Sequence, residues 1–115
     1  MYEPKSPLTR QVERIVHLLV QGRFDDVVKL TDGVRLDAAA IHQAISNYGQ
    51  TLVDPPRSAF QELDVIQVKR SAFPTWSIWM PLWTAREGKS DLSIQLTLIE
   101  HGKTHIVELD DIHVL

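Results

Sequence analysis

From Asp91 to Glu100 the residues alternate in character: Leu92, Ile94, Leu96 and Leu98 are apolar, whereas Asp91, Ser93, Gln95 and Thr97 are polar. A period of two is the mark of a strand with one face in a core and the other facing water or a partner. The run before it, Thr75 to Thr84, carries Trp76, Ile78, Met80 and Leu82 on one parity and Ser77, Trp79, Pro81 and Trp83 on the other. Both faces of that segment hold large apolar groups, so it asks for cover on both sides. The polar stretch Ala85 to Ser90 between the two runs contains Gly88, which can take positive φ, and the whole reads as a hairpin that nucleates a sheet.

What precedes the hairpin is helical. Pro7 follows Ser6, a capping residue, and Val12, Ile15, Val16 and Leu19 recur at i, i+3, i+4 and i+7, which predicts an amphipathic helix over 7–21 that Gly22 stops. A shorter helix is expected over 24–31, with Phe24, Val27, Val28 and Leu30 as its apolar set and Asp25 and Asp26 in the first turn, where carboxylates favour the dipole. Asp37 opens a third, presenting Ile41, Ala44, Ile45 and Tyr48 before Gly49. Residues 50–58 contain Pro55-Pro56 and form a connector.

The residues after the connector read as strand. Val65, Ile66 and Val68 predict a strand over 60–70, placed at an edge because Glu62 and Asp64 weaken its start. Pro81 either bulges its strand or leaves one side of it unpaired. Glu100 to Lys103 turns the chain into a last strand, Thr104 to Leu109, and the chain closes on Asp110 to Leu115. Helices followed by about four antiparallel strands is an α+β pattern, with the helices on one face of a curved sheet. The chain reads as one domain over 1–115, with helices in about 7–48 and sheet in about 60–115.

At 115 residues and 43% hydrophobic the chain can bury a self-sufficient core. It has no cysteine, which excludes disulfides, thiolate metal sites and a thiol nucleophile, and fits a reducing compartment. Its first residues lack an apolar signal core and no run is long enough to span a membrane, so the expected location is the cytoplasm. A net charge of −3 leans toward basic partners and away from polyanions.

No constellation specifies an enzyme, a cofactor or a metal. His17, His42, His101, His105 and His113 show no ligand spacing. His113 stands apart because Asp110 and Asp111 precede it, but anchoring of the C-terminus accounts for that equally well. The acids Glu87, Asp91, Glu100, Glu108, Asp110 and Asp111 gather in the sheet half. Without a nucleophile or oxyanion donor, such a cluster is a solvated rim or a docking surface for a basic protein. Basic residues are dispersed and not interleaved with aromatics, which disfavours direct nucleic-acid binding. Two of the three tryptophans are expected to pack beneath the helices. The alternative has Trp79 and Trp83, which share a parity, lining a pocket or a partner-facing patch.

The segment WTAREGKSDLSIQL, residues 83–96, and the closing DDIHVL resemble a family of small uncharacterised bacterial domains. The matching positions are Trp83, Glu87, Gly88, Ser90, Asp91 and Leu92, then Asp111 to Leu115. Related chains resemble immunity proteins encoded beside polymorphic or contact-dependent growth-inhibition toxins, and the order of elements is similar to the cone-shaped NTF2-like architecture. The resemblance implies that the chain binds and neutralises a cognate toxin, often a nuclease, and it carries over no catalytic residue. An NTF2-like domain implies something else: a small-molecule pocket, and even an enzyme, inside the cone, lined by tryptophan and a buried Asp111–His113 pair. A self-associating structural module is a third reading, and would pair an edge strand across a two-fold axis.

Overall fold

The computed structural model describes residues 7–33 and 35–115, so the Ser6 cap expected for the first helix lies outside the described residues. Three helices come first: α1 (Pro7–Val20), α2 (Phe24–Thr31) and α3 (Ala38–Tyr48). The stripe read from the sequence is the buried face of α1, where Val12, Ile15, Val16 and Leu19 are at most 1% exposed. The Asp37 carboxylate accepts the Ala40 N–H at 2.8 Å, and Gly49 closes α3 at φ 77° with its N–H on the Ile45 carbonyl. α3 sits shallowly: Ile41 is fully buried, while Ala44, Ile45 and Tyr48 are only partly covered.

The five strands are β1 (Leu52–Val53), β2 (Asp64–Gln67), β3 (Thr75–Thr84), β4 (Gly88–His101) and β5 (Thr104–Val114), all antiparallel in one sheet. β3, β4 and β5 form a meander, and β1 and β2 both pair with the outer edge of β3, at its two ends. Three helices against an open five-stranded sheet make the fold α+β, with one strand more than the sequence suggests. The extra one is β1, two residues inside the expected connector; the expected strand over 60–70 contracts to β2, and Arg57–Gln61 folds as a 3-10 turn that drops Phe60 into the core.

Of the two outcomes open to Pro81, one is realised: its strand is left unpaired on one side, while the irregularity beside it is carried by β4, where Ser90, Asp91 and Leu92 face the single Leu82. The β3–β4 register shifts between Pro81 and Trp83, and neither β1 nor β2 reaches residues 80–82. The Leu82 carbonyl accepts the Ser90 hydroxyl at 2.7 Å, so it points toward β4, and by alternation the Pro81 nitrogen and carbonyl point into the gap between β1 and β2. The N–H that proline lacks would have had no partner there.

β5 runs past the expected end at Leu109 because a bulge absorbs Asp110: Leu96 faces Leu109 and Gln95 faces Asp111. Without the extra residue the parity of the closing segment would be reversed, and Ile112, which is 6% exposed, would point away from the core. Between helices and sheet, Ile78, Met80, Leu82, Leu92, Ile94, Leu96 and Leu98 are at most 1% exposed. That face is filled with aliphatic side chains, and the Asp111–His113 pair is not in it, contrary to the buried pocket an NTF2-like cone implies.

Candidate functional site

The face of the sheet away from the core is the candidate site, and cross-strand register assembles it. One row reads Asp64, Trp79, Gln95, Asp111 across β2, β3, β4 and β5; the next reads Ile66, Ser77, Thr97, Glu108; a third reads Pro81, Ser93, His113. Trp79 and His113 meet diagonally over β4, ring centroids 4.9 Å apart and nearly perpendicular. The His113 Nδ1 lies 3.0 Å from an Asp111 carboxylate oxygen, an ion-pair distance when the ring is protonated. Ser93, between Pro81 and His113, is only 1% exposed although it is on the outward parity, and its hydroxyl has no hydrogen-bond partner among the described residues.

Of the tryptophans, only Trp76 packs against the core; Trp79 and Trp83 are half-buried on the opposite face. The expectation that two of them lie beneath the helices is therefore corrected. The even parity of β3 belongs to the core because Ile78, Met80 and Leu82 occupy it, and that sends Trp79 and Trp83 outward together. In the three central rows the formally charged side chains are Asp64, Glu108 and Asp111, all acidic. At one end of this face Ile66 is 58% exposed and Ile106 40%, and Phe73, on the loop before β3 against the His101 ring, is 43% exposed.

The acids singled out in the sequence do not act as one cluster. Glu108 and Asp111 share the open face. Glu100 has the parity of the core residues and stands beyond them at the far end of β4, opposite His105. Asp91 is exposed at the β4 irregularity, where its carbonyl accepts the Leu115 N–H at 2.9 Å. Asp110, the bulged residue, accepts the Thr97 hydroxyl and lies 3.8 Å from the Arg35 guanidinium, so it ties β5 to the segment between α2 and α3. Asp64 completes the central row and was passed over in the sequence because an acid at a strand start reads only as a weak strand; cross-strand register is what brings it to Trp79.

Glu87 is committed to the fold. It accepts the Tyr48 phenol at 2.7 Å and the Thr84 hydroxyl at 3.1 Å, which fastens the end of α3 to the β3–β4 turn. Gly88 follows at φ 72°, and a Cβ there would sit 3.6 Å from the Trp83 ring. The Ser90 hydroxyl donates to Leu82 O and accepts the Leu92 N–H. The Glu-Gly-x-Ser-Asp-Leu segment is thus largely a device for shaping this hairpin.

The bond to Glu87 holds the Tyr48 hydroxyl pKa above its ordinary value of 10.0. A raised folded-state value means that the interaction stabilises the fold below pH 10 and is lost as pH rises through the folded pKa. In a spectrophotometric phenol titration on a Tyr2→Phe background, Glu87→Ala is expected to move the Tyr48 midpoint back toward 10. An unmoved midpoint would mean that Glu87 does not hold the phenol.

Among the described residues no group of three histidine, cysteine or acidic side chains is placed to hold a metal ion, and no helix is long and apolar enough to cross a membrane. No curated protein and no solved structure matches the chain. A family model described as a domain of unknown function, DUF7668, matches residues 16–115, from the middle of α1 to the last residue, and the chain belongs to that family.

Proposed function

We propose that this chain is a binding protein of the immunity type, which neutralises a basic toxin domain by docking it against the open face of the sheet. The observation that carries the docking is the Asp64–Trp79–Gln95–Asp111 row: a large half-buried aromatic held at the centre of a face, with carboxylates at either end. Tryptophan anchors ringed by groups that exclude water dominate binding energy, and rim charges govern how fast partners meet. A nuclease must attract phosphate and is therefore usually basic, so an acidic face suits it. The toxin as partner rests on the resemblance of residues 83–96 and 110–115 to small uncharacterised bacterial domains whose related chains resemble immunity proteins. Neutralisation by occupation needs no chemistry from the binder, and the proposal accordingly assigns it no catalysis and no cofactor.

The test uses the C-terminal domain of the protein encoded immediately upstream, with association followed by surface plasmon resonance and protection followed by growth on co-expression. The double variant Asp64→Lys/Asp111→Lys is expected to slow association by at least ~10-fold at low salt, with the deficit shrinking as salt screens it. Unchanged association, or no binding and no protection by the wild-type chain, would reject the reading.

A further inference from the structure

β5 forms one rim of the sheet, and among the described residues no strand pairs with its outer edge. The Glu100 N–H donates to the Pro74 carbonyl and the Leu115 N–H to the Asp91 carbonyl, so even-numbered residues of β4 turn their backbone groups to β3 and odd-numbered ones to β5. Ile106 and Glu108, which face Ile99 and Thr97, therefore bond to β4, and His105 and Val107 present free N–H and C=O groups at the rim. The same end of the open face carries an apolar row: Val68, whose N–H donates to the Thr75 carbonyl, then Thr75, Ile99 and Ile106. Ile106 ends that row at the rim, 40% exposed, so an open ladder and an uncovered apolar side chain fall side by side.

The order of residues along this rim makes it complementary to itself. In an antiparallel pair facing residues share a side of the sheet, so a two-fold axis between two copies of β5 must fall on a residue. On Val107 the axis would set Ile106 against Glu108; on Glu108, carboxylate against carboxylate; on Leu109, Glu108 against Asp110. On Ile106 each of these conflicts disappears. Ile106 meets its own copy, Thr104 of one chain meets Glu108 of the other, and His105 and Val107 exchange the backbone bonds they lack within the chain. The two apolar rows then run end to end across the axis, and Asp110 and Asp111 come level with the other chain's β4–β5 turn, which carries Lys103. We infer that this rim pairs with a second copy of the chain, antiparallel about Ile106, joining the two sheets into one. The bulge at Asp110 ends the pairing on one side and the turn at Gly102 on the other, so the contact is short and reversible. It uses neither Trp79 nor Asp64, and it holds or fails independently of the docking proposed above.

Sedimentation equilibrium of the full chain should show the mass rising from one chain toward two, with a dissociation constant of about 10–100 µM for so small an interface. His105→Pro removes only an N–H that points to the rim, so it should leave the circular dichroism spectrum unchanged and weaken pairing at least ~10-fold. Cysteine reports the register, since the chain has no thiol of its own. Facing residues of a non-hydrogen-bonded pair have Cα atoms about 4.5 Å apart, within disulfide range, so Ile106→Cys should crosslink two chains on mild oxidation. Glu108→Cys, whose two copies lie far out of register, should not. A mass that stays at one chain up to about 1 mM, pairing undiminished in His105→Pro, or equal crosslinking through Glu108→Cys overturns the inference. So does a chain that is monomeric alone but loses the upstream-encoded domain in His105→Pro, because the rim then belongs to that domain.

Discussion

Leu96→Ala is expected to lower the unfolding free energy by about 3–4 kcal/mol, in the middle of the range for a buried leucine. Leu96 is 0% exposed in the middle of β4, the strand with a full-length neighbour on each side, and it faces Ile78 on β3 and Leu109 on β5. Those partners are 1% and 2% exposed and are fixed by two ladders, so the sheet cannot close over the lost methyl groups and a cavity remains. For a domain whose whole stability is about 5–15 kcal/mol, that is a large fraction. Guanidinium unfolding followed by tryptophan fluorescence should show a lower midpoint with an unchanged slope. Val114→Ala, at 57% exposure on the same sheet, should stay within about 0.5 kcal/mol. A loss below about 1 kcal/mol for Leu96→Ala would mean that this position is not enclosed by rigid neighbours.

The reason this residue was identifiable from sequence is the same reason its loss is costly. A period of two in β4 and of 3.6 in α1 is imposed by burial on one side, so Leu92 to Leu98 and Val12 to Leu19 carry their environment in their spacing. The features that escaped are those set by something far along the chain. β1 exists because Leu52 and Val53 pair with Thr84 and Trp83, and two residues hold no periodicity of their own. The bulge at Asp110 is fixed by the need to return Ile112 to the core, a requirement visible only once β4 lies alongside. Without it the strand appeared to stop at Leu109, and the six residues that follow seemed a tail. The motif acids were legible as a group but not by role: Glu87 was read with the partner-facing set although it serves α3, because Tyr48 is 39 positions away. The tryptophans turned on one rule. Trp76 shares the core parity of Ile78 and Met80, and once that parity is fixed Trp79 and Trp83 have no choice of side.

That outward placement leads to the second large effect. Trp79→Ala should weaken binding of the proposed toxin domain by about 2 kcal/mol or more, roughly 30-fold in Kd, with most of the loss in the dissociation rate. Trp79 is the largest side chain in the central row and is held by a perpendicular contact to His113, so its rotamer is set before any partner arrives. An ordered aromatic loses little entropy on binding, which is why truncating it costs more than removing a mobile rim charge. The fold should tolerate the change, because Trp79 is half-buried and outside the core cluster. Trp76→Ala makes the opposite comparison, because Trp76 packs against the core and its loss should lower stability. If Trp79→Ala leaves the dissociation rate unchanged while Asp64→Lys/Asp111→Lys slows association, the partner meets the acidic rim without seating on the indole, and the tryptophan at the centre of the sheet is not the anchor.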